Sequence, residues 1–326
     1  MVMITIKEIF ELSSAALMRH GAKEWIAIHV ADAVSKSESV GNRICGLYYL
    51  ESYCKQLVTG RVNGAVEPVV YKPKEATIYV DARFGFAQPA FSKGLQDALE
   101  QAQKFGVSTL SVGHAHTCTS LGYFTEKIAH AGLIGMGFTN ASPIVAAPGG
   151  KTRTIGTNPI AFSVPDGKGG IAMQFDQSTT RVALGKITMA KASGEKIPEG
   201  WAVDKNGYPT TDPEAALQGS LLSIGTHKGW GFGLMAELLT AGLTGSVVSR
   251  YVKPLKAPEG PPHDLGQFYI LIDPASGQAF YERLSQVTEA VAMDEGARMP
   301  GQFKKLAEAV EVSEALWEQV RGLATA

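Results

Sequence analysis

The order of hydrophobic and polar positions predicts helices in the first part of the chain. Apolar residues recur at three- and four-residue spacing over residues 6–18 and 25–35, and the same spacing continues over residues 47–57 as far as Gly60. Such spacing places apolar side chains along one face of a helix. We therefore predict three amphipathic helices before the first strand.

Alternation of apolar and polar residues, which is typical of strands, first occurs at residues 76–82. After it, the patterns predict helix 89–105, strand 107–112, helix 121–131, strand 133–139, strand 171–176, helix 179–192 and strand 267–273. Helical spacing then returns, with an interruption at residues 299–301. The sequence thus predicts an α/β fold, in which residues 1–75 and 274–326 form a helical domain and residues 76–273 an inserted α/β domain.

Proline and glycine mark the connections between these elements. Residues 165–170, PDGKGG, are typical of a hairpin connection. Residues 194–213 contain three prolines and three glycines, and residues 252–266 contain four prolines. We expect the first of these segments to be an ordered loop or lid rather than a linker between independent domains.

Composition and net charge indicate which classes of protein the sequence fits. Of 326 residues, 45% are apolar and 19% are charged, and the formal net charge is −1. This balance predicts a globular protein and does not indicate binding to nucleic acid or to an anionic membrane. No apolar run reaches membrane-spanning length, and charges near the N-terminus come too early for a signal peptide. Three cysteines without a CxxC pair favour free thiols in a reducing cytoplasm.

Residues 223–245, SIGTHKGWGFGLMAELLTAGLTG, combine a glycine-rich entry with a helix-period apolar segment. Thr226 is a candidate cap for the helix start, where unpaired N–H groups and the helix dipole favour an anion such as phosphate. His227 and Lys228 add two donors there. Leu234 and Leu238 lie on one predicted apolar face of this helix. The alternative is that the glycines serve tight packing alone.

Three other segments place polar residues at turns or strand ends. His114, His116 and Cys118 alternate in a strand-to-helix turn, which suits a phosphate contact, a metal, or a histidine that bonds a loop carbonyl. Asp176 ends a strand, where it is a candidate site residue or a cap for the following helix. Thr157 lies in the turn Gly156-Thr-Asn-Pro, as a turn residue or a substrate contact.

The familiar cofactor and hydrolase motifs are absent from the sequence. The glycines at 229, 231 and 233 have the wrong spacing for a dinucleotide fingerprint, and no strand precedes them at the proper distance. A Walker A loop, HExxH and G-x-S-x-G are also missing. A Rossmann fold is therefore not expected.

Several short motifs occur together in an order that one family shares. They are Phe86-Ala-Gln-Pro-Ala90, Gly156-Thr-Asn-Pro-Ile160, the Asp176 segment, His227-Lys-Gly229 and Arg298-Met-Pro-Gly301. On these motifs the sequence resembles the malate/L-lactate dehydrogenase type 2 (L-sulfolactate dehydrogenase-like) family. Within that family it most resembles the Δ1-piperideine-2-carboxylate/Δ1-pyrroline-2-carboxylate reductases. The resemblance covers nearly the whole chain.

The resemblance implies a non-Rossmann fold with a mixed, largely antiparallel sheet, a homodimer, and a nicotinamide cofactor bound by the α/β domain. NADPH is the expected cofactor, with NADH as the alternative, and hydride transfer to C=N or C=O beside a carboxylate is the expected reaction. Asp176 matches the charge-relay aspartate and Thr157 the substrate-contacting threonine. The positions that match cofactor contacts are Thr117, Cys118, Thr119, Ser120, Leu121, His227, Lys228, Gly229, Arg298, Gly301 and Lys304.

One segment departs from the family pattern. The family has a Ser-His-Gly motif followed by an arginine, which supply the proton and grip the substrate carboxylate. Aligned on Gly41 and Gly46, these positions are Ile44, Cys45 and Tyr49 here. The usual acid and the usual carboxylate clamp are therefore both absent.

The loss of this acid favours an imine over a ketone as substrate. A protonated iminium already accepts hydride readily, whereas a ketone develops alkoxide charge that a nearby donor must neutralise. Candidates for a remaining proton donor are Cys45, Tyr48, Tyr49 and His116, and Tyr48 and Tyr49 are also candidate substrate contacts. Cys45 is alternatively a small buried apolar residue.

Three functions follow, in order of preference. The first is an NAD(P)H-dependent reductase of a small cyclic imine, with Asp176 polarising a donor or stabilising the iminium. The second is a malate- or lactate-type 2-hydroxy-acid dehydrogenase. The third is a cofactor-binding protein that has lost catalysis. No metal, nucleic acid or membrane partner is expected.

Overall fold

The structure is a computed structural model that describes residues 1–302 and 304–325. Phe303, within the predicted cofactor stretch 298–304, lies outside the described residues.

The described residues form ten α-helices. They are α1 Ile6–Arg19, α2 Glu24–Ser39, α3 Leu50–Val58, α4 Ala87–Phe105, α5 Gly122–His130, α6 Leu184–Ser193, α7 Pro213–Gln218, α8 His227–Glu237, α9 Phe280–Val291 and α10 Glu314–Thr325. Short 3-10 turns at Arg43–Cys45 and Leu47–Tyr49 precede α3, so the helix predicted at 47–57 begins three residues later. The helix predicted at 179–192 begins only at Leu184.

Fourteen strands lie in the same residues. They are β1 Val2–Thr5, β2 Val69–Lys74, β3 Thr77–Asp81, β4 Val107–Ala115, β5 Ile134–Thr139, β6 Val145–Ala146, β7 Arg153–Ile155, β8 Ile160–Pro165, β9 Ile171–Gln177, β10 Ala202–Val203, β11 Pro209–Thr210, β12 Ser220–Leu221, β13 Leu265–Ile272 and β14 Ala309–Val312. The hairpin predicted at residues 165–170 is confirmed, because it joins the antiparallel strands β8 and β9.

A seven-stranded sheet forms the centre of the molecule, in the order β2-β3-β4-β13-β5-β8-β9. The β3–β4 pair is parallel, and the other five neighbouring pairs are antiparallel. The predicted mixed, largely antiparallel α/β architecture is therefore confirmed. The late strand β13 lies between β4 and β5, which come from the middle of the chain.

Helices α4 and α5 cover one face of this sheet. Phe91 of α4 packs against Phe124 of α5 and Tyr269 of β13, with ring centroids 5.0 and 4.9 Å apart. Helix α4 lies close to the sheet at Gly94, where an added Cβ would stand 2.6 Å from Val80. On the other face, Ala236 of α8 packs against apolar side chains of β5 and β13.

A second cluster unites the two termini. Strand β1 pairs antiparallel with β14, and helices α1, α2, α3 and α10 share one apolar core. The prediction that residues after 273 are helical was thus wrong for β14. A strand of four residues shows too little alternation to be distinguished from its helical neighbours.

The division into two domains stays a proposal, and the seven-stranded sheet bears on one of its boundaries, at residue 75. Strand β2 pairs with β3, so a boundary at residue 75 would separate two strands of one sheet. A smaller five-stranded sheet, in the order β11-β10-β12-β6-β7, packs with α6 and α7 around its own core. Residues 194–213 contribute β10 and β11 to it and are ordered, as predicted.

Among the described residues, no helix has both the length and the apolar character needed to cross a membrane.

Candidate active site

Asp176 lies near the end of the edge strand β9, where its carboxylate meets the start of α5. It accepts hydrogen bonds from the Gly122 backbone N–H at 2.8 Å and from the Ser120 hydroxyl at 3.3 Å. Burial raises the pKa of Asp176, while the Gly122 and Ser120 hydrogen bonds and the Lys304 charge oppose that shift. Asp176 does not cap the helix that follows it, because α6 begins at Leu184 after an N-cap at Ala183.

Cys45 and Tyr49 lie in the two 3-10 turns before α3. Cys45 is close enough to Asp176 for the carboxylate charge to shift the pKa of its thiol. Burial and then the Asp176 charge raise the pKa of Cys45 to about 12. Burial and then Cys45 raise the pKa of Tyr49 to about 12. Both side chains therefore keep their protons at neutral pH and can donate hydrogen bonds.

Buried Glu38 of α2 holds this segment in place. Its Oε1 accepts a hydrogen bond from the Leu47 backbone N–H at 2.8 Å. A Cβ at Gly46 would clash with the same oxygen, so a larger residue there would displace the Glu38 side chain. Glu38 carries no sequence signal for this role, because it lies nine positions away along the chain.

Aromatic rings continue from Tyr49 into the core. Tyr49 packs against Tyr48 and Tyr53, with ring centroids 5.8 and 5.7 Å apart, and Tyr53 packs against Phe86 at 5.5 Å. Tyr48 is exposed, whereas Tyr53 is buried. The position that holds the family arginine therefore carries a neutral aromatic side chain.

The turn at 117–121 is mostly enclosed by protein. The Thr117 N–H donates to His263 Nδ1 at 3.2 Å, and the Cys118 carbonyl accepts from Gln88 at 3.3 Å. Burial raises the pKa of Cys118. Leu121 is buried as well, so Thr119 and Ser120 are the partly exposed members of this cofactor candidate.

The two histidines of the preceding segment point to different partners. His114 Nδ1 lies 2.8 Å from Asp264 Oδ1, and His116 Nε2 lies 2.7 Å from Gln56 Oε1. In the described residues each ring thus has a side-chain partner, in place of the loop carbonyl that was the expected alternative. His116 is only 1% exposed, which disfavours direct contact with substrate; its catalytic role stays a prediction. The described residues contain no cluster of three or more His, Cys, Asp or Glu side chains suited to a metal ion.

Thr157 lies beside the continuation of β9. Its carbonyl accepts from both the backbone N–H and the hydroxyl of Thr179, each at 2.9 Å. The next residue, Asn158, donates to Glu237 Oε2 of α8 at 2.8 Å. The turn that carries Thr157 is thereby fixed against both the Asp176 strand and α8.

The start of α8 differs from expectation in two respects. Within the described residues Thr226 makes no side-chain cap, and the Lys228 and Gly229 amides bond the carbonyls of Gly225 and Ile224. The N–H groups predicted to be unpaired are thus largely occupied by the preceding turn. The His227 and Lys228 side chains are exposed, whereas Gly229 is tightly packed, because a Cβ there would clash with the Ile224 carbonyl oxygen.

The predicted apolar face of α8 is exposed rather than buried. Leu234 is 36% exposed, and Leu238, the residue directly after α8, is 69% exposed. The buried side of the helix instead consists of small or polar residues, which are Gly229, Gly233, Ala236 and Glu237.

The stretch after α9 contacts β9, the strand that carries Asp176, through Gly301 and Lys304. Gly301 packs on Gln174, where a Cβ would stand 2.7 Å from the Gln174 carbonyl oxygen. Lys304 donates to Gln174 Oε1 at 3.2 Å, and burial lowers the pKa of Lys304. Arg298 is exposed.

A polar cavity of about 150 Å³ joins several of these elements. Its lining includes Lys36, Asn42, Ser120, Gln174, Asp176 and Lys304. Lys36 and Asn42 were missed from the sequence, because neither stands in a motif or at a strand end, and in the Asp176 segment only Asp176 itself was chosen, not Gln174. Asn42 is also the residue whose carbonyl accepts from the Cys45 N–H, at 2.9 Å.

Comparison with known proteins identifies the family of the chain. The malate/L-lactate dehydrogenase family matches residues 4–321. The chain is 37% identical to the (2R)-3-sulfolactate dehydrogenase (NADP(+)) of Chromohalobacter salexigens, over 99% of this chain and 98% of that protein. It is 33% identical to a Δ1-pyrroline-2-carboxylate/Δ1-piperideine-2-carboxylate reductase of Pseudomonas putida, over 92% of this chain and 89% of that protein.

A solved structure extends the match to three dimensions. The Δ1-piperideine-2-carboxylate reductase of Pseudomonas syringae pv. tomato superposes with a TM-score of 0.90 at 30% identity, covering 99% of this chain and 100% of that one. Motifs, fold and relatives agree over the full length, and the chain belongs to the malate/L-lactate dehydrogenase family.

Proposed function

We propose that this protein is an NADPH-dependent reductase of a small cyclic imine. The observation that carries the proposal is the Asp176 carboxylate on the wall of the polar cavity, with Cys45 near it as a neutral group whose pKa is raised to about 12. A carboxylate that hydrogen bonds hold in place stabilises a positive charge next to it. A protonated iminium carries such a charge at the carbon–nitrogen bond that is reduced.

The residues that would hold the cofactor fit a phosphate-bearing dinucleotide. His227 and Lys228 place two exposed donors at the start of α8, where the helix dipole favours negative charge. Segment 223–229 is joined to the Asp176 strand through the Ile224 N–H, which donates to the Thr179 carbonyl at 3.0 Å. Lys304 offers a further cation on the opposite side of β9. The reduced nicotinamide supplies the hydride when it is bound.

In this proposal Asp176 stays ionised and faces the iminium nitrogen. The Gly122 and Ser120 hydrogen bonds fix the orientation of the carboxylate before the substrate arrives, so little reorganisation accompanies the reaction. Thr157 orients the substrate from the neighbouring turn. Cys45 and Tyr49 donate hydrogen bonds without being required to release a proton.

A 2-hydroxy-acid dehydrogenase is the second candidate, because one relative at 37% identity is named as a sulfolactate dehydrogenase. A reaction of that kind needs a group that takes up or releases a proton near neutral pH. The raised pKa values of Cys45 and Tyr49 make both poor in that role. Because imine reduction does not require such a group, we place the imine reductase before the 2-hydroxy-acid dehydrogenase.

Oxidation of NADPH, followed by its absorbance, tests the proposal directly. Pyrroline-2-carboxylate, piperideine-2-carboxylate, 2-methyl-1-pyrroline, pyruvate and oxaloacetate would be compared at matched concentrations. We expect turnover of at least one cyclic imine and much slower turnover of both keto acids. Turnover confined to the keto acids would favour the second candidate, and no turnover with any of these compounds would contradict the proposal.

Asp176→Asn should lower kcat/KM for the best imine by about 10²–10⁴, because the variant loses the charge that stabilises the iminium. In the wild type, kcat/KM should fall on the acid side as Asp176 takes up a proton, at a pH above its ordinary pKa of 3.8. Ser120→Ala is the matched control, since it removes one weaker hydrogen bond and keeps the charge. Wild-type activity in the Asp176→Asn variant would exclude this role.

We further propose a homodimer in a reducing compartment such as the cytoplasm. The exposed apolar side chains of α8 support self-association, because a second copy would cover them. An added Cβ at Gly231 on the same helix would meet no described atom within 4 Å, which leaves room for close approach of a second chain. Cys45, Cys54 and Cys118 are all free thiols, which supports the compartment.

A further inference from the structure

We propose that Lys256 supplies the positive charge that holds an acid group of the substrate. This inference rests on the proposed imine reduction and specifies its substrate class: a cyclic imine that carries a carboxylate or another acid group beside the carbon–nitrogen bond.

Lys256 lies over the two tyrosines that follow Cys45. Its Nζ is 3.3 Å from the ring centroid of Tyr48 and 5.5 Å from that of Tyr49, and it donates to the Tyr48 carbonyl at 3.2 Å. An ammonium has three N–H donors, and one suffices for the Tyr48 carbonyl. The ring faces hold the cation in place and leave the remaining donors for a ligand.

Two buried side chains fix the backbone on both sides of Lys256. Gln56 Nε2 donates to the carbonyls of Leu255 and Ala257 at 2.9 and 2.7 Å. Arg61 donates to Pro254 at 3.0 Å and also to Ala257. The proline-rich loop therefore presents its lysine from a fixed position rather than from a mobile segment.

The free-energy cost of burying Arg61 and Gln56 supports a functional role for Lys256, the residue whose backbone they fix. Arg61 is only 1% exposed, and Gln56 is fully buried. Burying a guanidinium to satisfy loop carbonyls is expensive unless the hydrogen bonds are good. The two residues together tie down residues 254–257 next to the site, and Lys256 is the charged residue at the centre of that segment.

The other cations around Asp176 already have partners. Lys36 forms an ion pair with Glu126, and the charges of Glu126 and Asp176 both act on Lys304. Lys256 forms no ion pair with a carboxylate in the described part of the chain. The charge of Lys256 acts on Glu51, but the Glu51 carboxylate forms its ion pair with Lys55, at 2.7 Å.

Charge complementarity then sets the orientation of the substrate. Lys256 lies 5.5 Å from the Tyr49 ring, Tyr49 lies close to Cys45, and Cys45 lies within reach of the Asp176 charge, while both Tyr49 and Cys45 are neutral. With Lys256 present, the iminium end of the substrate faces Asp176 and the acid end faces the lysine. A zwitterionic imine matches both ends of the site.

The test compares Lys256→Ala, Lys256→Arg and the control Lys253→Ala, an exposed lysine of the same loop. Each NADPH-loaded protein is titrated by calorimetry with pyrrole-2-carboxylate, a planar unreactive carboxylate, and with 2-methylpyrrole, its uncharged counterpart. Steady-state rates are measured with pyrroline-2-carboxylate and 2-methyl-1-pyrroline. Thermal unfolding of each variant checks that the loop substitution leaves the fold intact.

For Lys256→Ala we expect a roughly tenfold weaker Kd for pyrrole-2-carboxylate and a similar rise in KM for pyrroline-2-carboxylate. Binding of 2-methylpyrrole and KM for 2-methyl-1-pyrroline should stay unchanged. Lys256→Arg should restore carboxylate binding, Lys253→Ala should behave as wild type, and added salt should weaken carboxylate binding only where the cation at position 256 is kept.

Equal losses for the charged and uncharged ligands, or an equal effect of Lys253→Ala, would overturn the inference. It would also fail if the wild type reduced 2-methyl-1-pyrroline well and did not bind pyrrole-2-carboxylate, although the imine reductase proposal would then stand. Absence of turnover with every imine would instead contradict the proposed function, and the binding titration would still decide the role of Lys256.

Discussion

At the scale of single residues, two buried histidines link the site to the proline-rich loop. His116 and His263 stack with ring centroids 3.8 Å apart, and neither is exposed. Gln56 uses its amide nitrogen for loop carbonyls, so its oxygen accepts and His116 Nε2 carries the hydrogen. Burial lowers the pKa of His116 well below 6.5 and that of His263 to about 3, and the Arg61 charge adds to both shifts.

These shifts predict a loss of stability in weak acid. Below the ordinary histidine pKa of 6.5 the unfolded chain takes up protons that the folded chain does not, down to about 3 for His263. The free energy of unfolding therefore decreases as the pH falls through this window, by up to about 1.4 kcal/mol per pH unit for each histidine.

Urea unfolding between about pH 7 and about pH 5 measures this decline. His263→Gln removes one of the two groups and should make the decline shallower, whereas substitution of the exposed His227 by Gln should not change it. An equally steep decline in His263→Gln would show that the stacked pair does not cause it.

Asp176 and Thr157 could be chosen from the sequence because each stands in a short motif at a turn or strand end. Asn42, Glu38, Gln56 and Lys256 could not, because their roles depend on contacts between segments far apart along the chain. Hydrophobic spacing contains no information about such contacts.

At the scale of elements, Glu237 joins three parts of the candidate site. It lies at the buried end of α8, where Oε1 accepts from the Ser249 N–H at 2.6 Å. Its Oε2 accepts from the Ser249 hydroxyl at 2.5 Å and from Asn158 at 2.8 Å. One carboxylate thus holds α8, the turn of Thr157 and the 3-10 turn Ser249–Tyr251 together.

Glu237→Ala should destabilise the protein by roughly 2–4 kcal/mol, because the Ser249 N–H loses its acceptor and the Ser249 hydroxyl and the Asn158 amide each lose one of two acceptors. It should also raise KM for NADPH, since α8 carries His227 and Lys228. Glu237→Gln, which keeps an acceptor, should lose less, and Glu199→Ala, at an exposed glutamate, serves as the control. Chemical unfolding together with NADPH titration measures both effects, and unchanged stability in Glu237→Ala would refute the assignment.

The periodicity of α8 predicted its type correctly and its buried side incorrectly. Apolar spacing identifies the face that avoids water, whether the cover is the same chain or another one. Here glycine, alanine and a bonded glutamate allow the helix to lie close to the sheet, and the larger apolar residues remain outside. The exposed apolar side of α8 leads to a prediction about the oligomeric state.

At the scale of the whole molecule, Leu238→Glu should shift the proposed dimer toward monomer, because a charge would be buried where a second copy covers α8. Light scattering coupled to size exclusion measures the mass across a dilution series. Met189→Glu, at an exposed apolar residue on α6, is the control and should leave the mass unchanged. A monomeric wild type at every concentration would rule out the dimer.

The general architecture was predictable to a large extent, and the assembly of the sheet was not. Residue spacing located the main helices and the strands β3, β4, β5, β9 and β13 to within a few residues. Strands β2, β8 and the short strands of the smaller sheet were missed, since runs of two to six residues carry little periodic signal. Strand order depends on pairing between distant segments, which spacing along the chain does not encode.

The central place of β13 has a consequence for biosynthesis. Residues 265–272 bridge β4 and β5, so the two halves of the seven-stranded sheet stay separate while the ribosome still holds that segment. Closure of the terminal cluster is later still, because β1 finds its partner at residues 309–312. The β4 and β5 edges of the nascent polypeptide therefore lack their native partner until β13 has been synthesised, and unpaired edges of this kind favour aggregation.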